Sequence, residues 1–198
     1  MDKISISYGN KKMGAIPSVS LPPVVTCAPG CTCAKKCYAA KLCRIYPTVK
    51  AAYNRNLNIL NNNSDDYWIQ VQHVAAANRF FRYHVSGDIP NIAYLINMDT
   101  TARLYPKTEF LVFTKKYNLI NDYIEAEGLP ENLHVIFSEW PGMDMYNPYK
   151  LPVAHVVFKG CEPAWNWKPC SGNCLDCAIN GSGCWTLKSG EHIYFNEH

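Results

Sequence analysis

Charge is scarce in this chain, and its start lacks any long apolar run. Asp, Glu, Lys and Arg make up 18% of the 198 residues and nearly cancel, leaving a formal net charge of +3. That excess is too small to announce a nucleic-acid footprint. The opening Met1-Asp2-Lys3, with polar residues through Lys11 and Lys12, offers neither a signal-peptide core nor a membrane span, so no membrane partner and a cytoplasmic location are expected. Internal repeats, low-complexity tracts and domain linkers are also missing. With 48% hydrophobic residues, the composition is that of a globular chain, not a disordered or collagen-like one. At this length a single domain over residues 1–198 is the expectation.

Cysteine is missing from the whole middle of the chain. Five cysteines fall early (Cys27, Cys31, Cys33, Cys37, Cys43) and five late (Cys161, Cys170, Cys174, Cys177, Cys184), with none between. In a reducing compartment such clusters point to metal ligands or reactive thiols, because disulfides do not persist there.

Between the clusters, strand-like and helix-like segments alternate, which is the pattern of a parallel sheet with crossover helices. Phe80–Val85, Phe110–Thr114, His134–Ser138 and Ala154–Phe158 are short apolar runs suited to strands covered on both faces. Ser18–Thr26 reads as a first strand, weakened by Pro22 and Pro23. Helices are expected around Val49–Leu60 with Thr48 as cap, from Ser64 with Asp65 and Asp66 in its first turn, from Ile92, and around Leu119–Ile124 with a stop at Gly128 and Pro130. About five strands result. The fold class is α/β: a partial (β/α) barrel-like parallel sheet over about 1–160, with a cysteine loop at 27–43 and a cysteine-rich tail at 161–198. In such sheets ligands bind at the carboxyl ends of the strands. The loop from Cys27 and the segment Ser86-Gly87-Asp88 both fall there.

The tail reads Cys170-x3-Cys174-x2-Cys177-x6-Cys184, four thiolates in one short stretch. They suffice to close one tetrahedral zinc or one four-iron cluster, and Gly172, Gly181 and Gly183 allow tight turns around it. Structural zinc usually draws on two separated Cys-x2-Cys knuckles, and the tail has one, so iron-sulfur is preferred with zinc as the alternative. The early group offers Cys27, Cys31, Cys33 and Cys37. Three of these would hold a cluster whose fourth iron stays open to a ligand. The plainer reading joins both groups into one structural centre.

Thr26-Cys27, Cys33-x3-Cys37-Tyr38-Ala39, Tyr46-Pro47-x-Val49, Ala51-Ala52-Tyr53-x-Arg55-Asn56-Leu57, His84-x-Ser86-Gly87-Asp88, Cys174-x2-Cys177 and Cys184-Trp185 together resemble the phage gene product 88 proteins. That family in turn looks like a shortened relative of the radical S-adenosylmethionine barrels. The resemblance implies that Cys27, Cys33 and Cys37 ligate a 4Fe-4S cluster. It implies that Ser86-Gly87-Asp88 meets the methionine moiety of S-adenosylmethionine, and that the tail cysteines hold an auxiliary cluster. The three-cysteine spacing usual in those barrels, Cys-x3-Cys-x2-Cys, stands here at Cys170, Cys174 and Cys177 instead.

Further candidates surround these groups. Asp88 is placed either to accept from an ammonium group or to cap the helix near Asn91. His84 reads more readily as a hydrogen-bonded core residue than as a ligand. Ser138 and Glu139 end a strand on the same rim, where they would touch a ribose or begin a loop. Trp165, Trp167 and Trp185 would keep water from a metal centre. Lys35-Lys36 and Lys115-Lys116 read as solvated, and Cys43 and Cys161 as buried thiols. Two functions follow: an enzyme starting radical chemistry from S-adenosylmethionine on a substrate the sequence does not name, or a metal-stabilised binding protein acting on a host protein or nucleic acid.

Overall fold

The computed structural model describes residues 2–197. In chain order its elements are β1 (Ile6–Ser7), β2 (Ser18–Val19), α1 (Tyr38–Ile45), α2 (Pro47–Asn62), α3 (Ser64–Ala76), β3 (Phe80–Tyr83), α4 (Ile92–Leu104), β4 (Glu109–Thr114), α5 (Tyr117–Glu127), β5 (Leu133–Ser138), β6 (Val153–Val157), β7 (Lys168–Pro169), α6 (Cys174–Ile179) and β8 (His192–Asn196). The helix ends follow local chemistry. Pro47 opens α2 at a position where its missing N–H costs nothing. The Asn63 side chain accepts the Asp66 N–H to cap α3, and Gly128, at φ +72°, ends α5.

All eight strands form one sheet in the order β1-β2-β3-β4-β5-β6-β8-β7. Only β1 pairs antiparallel, with β2; every other pair is parallel. The sheet is open, with β1 and β7 at its edges. From β2 to β6 each strand adds to the same side of the last. Right-handed crossovers then place their helices on one face, as observed. Ile59 of α2, Trp68 and Val71 of α3, Leu95 and Met98 of α4 and Ile120 of α5 share one core with Phe81, Tyr83, Phe110, Val112, Val135 and Phe137 of the strands.

The alternate residues of those strands point the other way. Leu111 and Ile136 form a second core with Met13, Ile16, Ala154, Ala178, Trp185 and Ile193, and four tail cysteines pack against it. Burial on both faces explains why β4 and β5 read as unbroken apolar runs.

The sequence underestimates the sheet. β1, β7 and β8 extend it beyond five strands, while β2 ends at Val19 instead of Thr26 because Pro22 and Pro23 cannot donate to a ladder. Tyr46, not Thr48, precedes the first turn of α2. The short helices α1 and α6 were also not foreseen.

Fully buried Asn56 fastens the antiparallel edge. Its Oδ1 accepts the Ser5 N–H at 2.6 Å, and its Nδ2 donates to the carbonyls of Ser5 and Ser20, each at 2.9 Å. Asn56→Ala orphans the buried Ser20 carbonyl at about 1–3 kcal/mol and removes two partly buried bonds to Ser5 at about 1 kcal/mol each. Urea denaturation is expected to show a loss of about 3 kcal/mol; a loss under about 0.5 kcal/mol, the size of an ordinary surface substitution, contradicts this clamp.

Candidate functional site

The rim is built where the loops after β2 and β3 lock together. The Leu21 N–H donates to the Ser86 carbonyl at 3.0 Å. Thr26 Oγ1 donates to the Pro22 carbonyl at 2.9 Å and accepts the Asp88 N–H at 3.1 Å. Gly87 adopts φ +80°, and a Cβ there would stand 2.6 Å from Thr26 Oγ1 and 2.7 Å from the Leu21 carbonyl oxygen. Glycine is required because the chain's own loops meet at this point.

Asp88 ties β3 to β4. Its Oδ1 accepts from Thr114 Oγ1 at 2.6 Å and from the Ile89 N–H at 2.8 Å, and its Oδ2 accepts the Lys115 N–H at 2.9 Å. Burial pushes its carboxyl group up, and these hydrogen bonds oppose the shift. The cap of α4 is Asn91, whose side chain accepts the Tyr94 N–H, so the capping role considered for Asp88 is filled by its neighbour. Lys115 is no solvated strand end: its Nζ donates to Ser138 Oγ at 2.7 Å. Tyr117 Oη donates to the Ser138 carbonyl at 2.6 Å. Ser138 thus serves the rim through two neighbours.

The early cysteines roof this rim. A 3-10 turn over Thr32–Lys36 lies across the far strand ends. Thr32 Oγ1 donates to the Pro141 carbonyl at 2.9 Å, Cys31 Sγ stands 3.6 Å from Met143 Sδ, and Lys36 pairs with Glu197 at 2.8 Å. Cys31 and Cys33 sulfurs approach to 2.6 Å. Cys27 accepts the Val24 N–H at 3.3 Å, and Cys37 accepts the Ala40 N–H at 3.4 Å as the N-cap of α1. Burial pushes the Cys27 thiol up to about 11, with Asp88, Cys31 and Cys37 adding to the effect. It pushes Cys33 up to about 12, opposed by the Lys115 charge.

The tail cysteines gather separately, on the sheet face away from the helices. Asn173 caps α6 by accepting the N–H groups of Leu175 and Asp176. The Cys174 N–H donates to the Lys12 carbonyl at 2.9 Å, and Trp185 Nε1 donates to the Cys174 carbonyl at 3.1 Å. Gly183, at φ +61°, leaves room for Cys177 Sγ, which a Cβ would meet at 2.7 Å. Burial pushes Cys184 up to about 12, with Cys170, Cys174 and Cys177 also raising it, while Arg82 opposes. Arg82 Nη1 lies 3.7 Å from Cys174 Sγ. Cys27 is influenced by Cys31 and Cys37, and Cys184 by Cys170, Cys174 and Cys177. Among the described residues all ten cysteines are free, and no three His, Cys, Asp or Glu side chains stand where they would hold a metal ion in their present rotamers.

Other expectations fare unevenly. Cys161 is exposed and Cys43 half-buried; neither is a buried thiol. Trp185 is buried among the tail cysteines, Trp167 stacks on His155 at 3.6 Å, and Trp165 is 97% exposed. His84 is buried as expected but not hydrogen-bonded. It holds φ +56°, and both ring nitrogens lack a partner among the described residues. Burial drops its pKa to about 3.

Two features were missed. Glu139 is hydrogen-bonded to His155 Nδ1, and His155 Nε2 meets His192 Nδ1 at 2.8 Å. This row crosses β5, β6 and β8 and could be seen only once β8 was recognised. The second was legible: residues 3–64 contain Lys3, Lys11, Lys12, Lys35, Lys36, Lys41, Arg44, Lys50 and Arg55 but no Asp or Glu. The near-neutral total conceals that asymmetry.

An open, mostly parallel α/β sheet with a cysteine loop over its carboxyl rim and a cysteine tail on its uncovered face defines a cysteine-rich α/β protein. The family model for Gene product 88 matches residues 3–164, and the chain belongs to that family. The matched span contains the cysteine loop and the rim but stops before Cys170. No curated protein and no solved structure matches the chain. No helix among the described residues is long and apolar enough to cross a membrane.

His84 makes stability pH-dependent. Its folded pKa lies below the unfolded value of 6.5, so its contribution is complete above pH 6.5 and falls as the pH drops toward 3, by about 1.4 kcal/mol per pH unit. Asn tolerates the left-handed backbone and does not titrate. Urea midpoints at pH 7 and pH 5 are expected to differ less for His84→Asn than for the parent; equal differences contradict the assignment.

Proposed function

We propose that this chain is an iron-sulfur protein in which Cys27, Cys33 and Cys37 ligate a 4Fe-4S cluster at the rim, with Cys31 beside them. In this reading the tail cysteines Cys170, Cys174, Cys177 and Cys184 hold a second cluster. The observation that carries the proposal is the gathering of eight of the ten cysteines into two groups, one at the rim and one against the second core. Each supplies at least three thiols in mutual electrostatic contact, partly buried, with a cation at hand: Lys115 at the rim and Arg82 at the tail. Burial alone keeps these thiols protonated, and a bound metal reverses that balance. Ligation would draw the sulfurs in by rotation about their own side-chain bonds.

We further propose that the rim binds S-adenosylmethionine, with the winding of the sheet read as that of a partial barrel. In this reading the ligand would enter between the cysteine roof and the strand ends, and Ser86, Ser138 and Glu139 would meet its polar groups. Asp88 and Gly87 act here by holding the two loops in register, since both carboxylate oxygens of Asp88 are already engaged. Cys27, Cys33 and Cys37 would hold the cluster, which when bound and reduced would supply the electron for cleavage of the sulfonium. The residues of the chain orient the ligand and keep water from the site.

One observation favours a structural role for the tail centre. Its cysteines pack into the second core beside Leu111, Ile136 and Trp185, as expected of a centre that holds the fold together. Zinc would serve there as well as iron.

The test uses anaerobically reconstituted, reduced protein mixed with S-adenosylmethionine. Release of 5′-deoxyadenosine is expected, with loss of at least tenfold in Cys33→Ser while the far-ultraviolet circular dichroism stays unchanged. Parent protein carrying iron and sulfide but releasing no 5′-deoxyadenosine contradicts the enzymatic reading and leaves the metal assignment standing.

A further inference from the structure

Residues 3–64 carry nine basic residues and no acids; five of the nine, Lys35, Lys36, Lys41, Arg44 and Lys50, fall within or just after the early cysteine run, and apolar side chains there are turned outward. α1 is amphipathic, yet its sole fully buried residue is the small Ala39. Leu42 is 38% exposed, Ile45 53% and Tyr46 51%. Tyr38, on the same side, is anchored through its hydroxyl to the Val85 carbonyl. On the other flank of the cysteines, Val24 is 53% exposed and Val25 72% exposed. The two flanks lie on either side of the cysteine loop: the Val24 N–H donates to Cys27 Sγ at its start, and α1 begins from Cys37 at its end. Between and beside them project Lys35, Lys41, Arg44 and Lys50, all exposed. The nearby acids do little to neutralise this surface. Asp88 is buried, and Glu197 is spent on Lys36.

A helix that turns its apolar side outward leaves unrecovered part of the free energy that burying each large side chain returns. Such patches mark interaction sites when they are contiguous. The charges specify the occupant, because a surface with no acids repels another cation and attracts an anionic one. The aliphatic residues narrow the choice further. Leu42, Ile45, Val24 and Val25 give nothing to a phosphate backbone, and Arg44 is the sole guanidinium among the four cations that flank the patch, whereas bidentate phosphate recognition favours Arg. α1 presents neither Trp nor Phe, the side chains that with Leu seat an interfacial helix at a lipid surface.

We propose that Val24, Val25, Leu42, Ile45 and Tyr46, ringed by Lys35, Lys41, Arg44 and Lys50, form a docking surface for the face of an acidic protein carrying its own apolar patch. The apolar centre supplies the affinity, and the basic ring sets orientation and speed of encounter. Because α1 begins at Cys37, the docked partner covers the approach to the rim. The proposal stands on exposure and charge, independent of which metal the cysteines hold.

The probe is a fluorescent amphipathic helical peptide of about twenty residues, with Glu on one face and Leu and Phe on the other. It is compared by anisotropy with a single-stranded DNA of equal charge and with vesicles containing phosphatidylglycerol. The peptide is expected to bind the parent protein more tightly than DNA or vesicles. Its binding should weaken at least tenfold in Leu42→Ser/Ile45→Ser and, separately, in Lys41→Glu/Arg44→Glu. These variants lie on an exposed helix face, and unchanged thermal melting and iron content separate loss of docking from loss of fold or of the metal site. Tighter binding of DNA or vesicles overturns the proposal, as does peptide binding that survives the Ser substitutions.

Discussion

A parallel sheet buries both its faces, and here one face has no crossover helices to cover it. Because the strands from β2 to β6 are laid down in one direction, every right-handed crossover falls on the same side, where α2–α5 form the larger core. Leu111, Ile136, Phe113 and Ile193 would otherwise meet water. The cover they receive is Met13 and Ile16 from the N-terminal segment and, from the tail, Ala178, Trp185 and the four late cysteines. The tail is therefore part of the core, although it lies beyond the family match.

That cover is made of pieces that cannot stand alone. α6 has six residues and the turn at Gly183–Trp185 three, far below the length at which isolated helices persist in water. Their fixed positions come from side-chain contacts: Asn173 at the cap, the Trp185 indole on the Cys174 carbonyl, and Arg82 against the Cys174 sulfur. Metal ligation by the tail would add the cross-links that so short a segment lacks. The same physics applies to the rim roof, a single 3-10 turn tied down by Thr32, Lys36 and Cys31.

Much of this was legible from residues alone. The apolar runs from Phe110 and His134 found β4 and β5 because strands covered on both faces carry no polar alternation. The i, i+3, i+4 rhythm found α2 and α5. β8 was missed because His192-Ile193-Tyr194-Phe195-Asn196 lies in a tail read for its cysteines, and with it went the contact of His155 with His192. The role of Gly87 was out of reach for another reason. A positive φ can be guessed from glycine, but the approach of Thr26 and Leu21 depends on two loops distant in sequence. The surface around α1 was legible and overlooked, since a summed charge averages away an acid-free third of the chain.

Electrostatics joins these parts. Burial raises the pKa of Cys27, Cys33, Cys174 and Cys184, an unfavourable setting for thiolates unless a stronger positive charge enters. Without metal these thiols stay protonated and neutral, and a bound cation is what would turn them into thiolates. The most direct measurement is the iron, zinc and acid-labile sulfide content per chain of freshly prepared, anaerobically purified protein. The account predicts iron and sulfide in equal amounts, about four of each per filled centre. Protein carrying neither iron nor zinc in stoichiometric amount contradicts it.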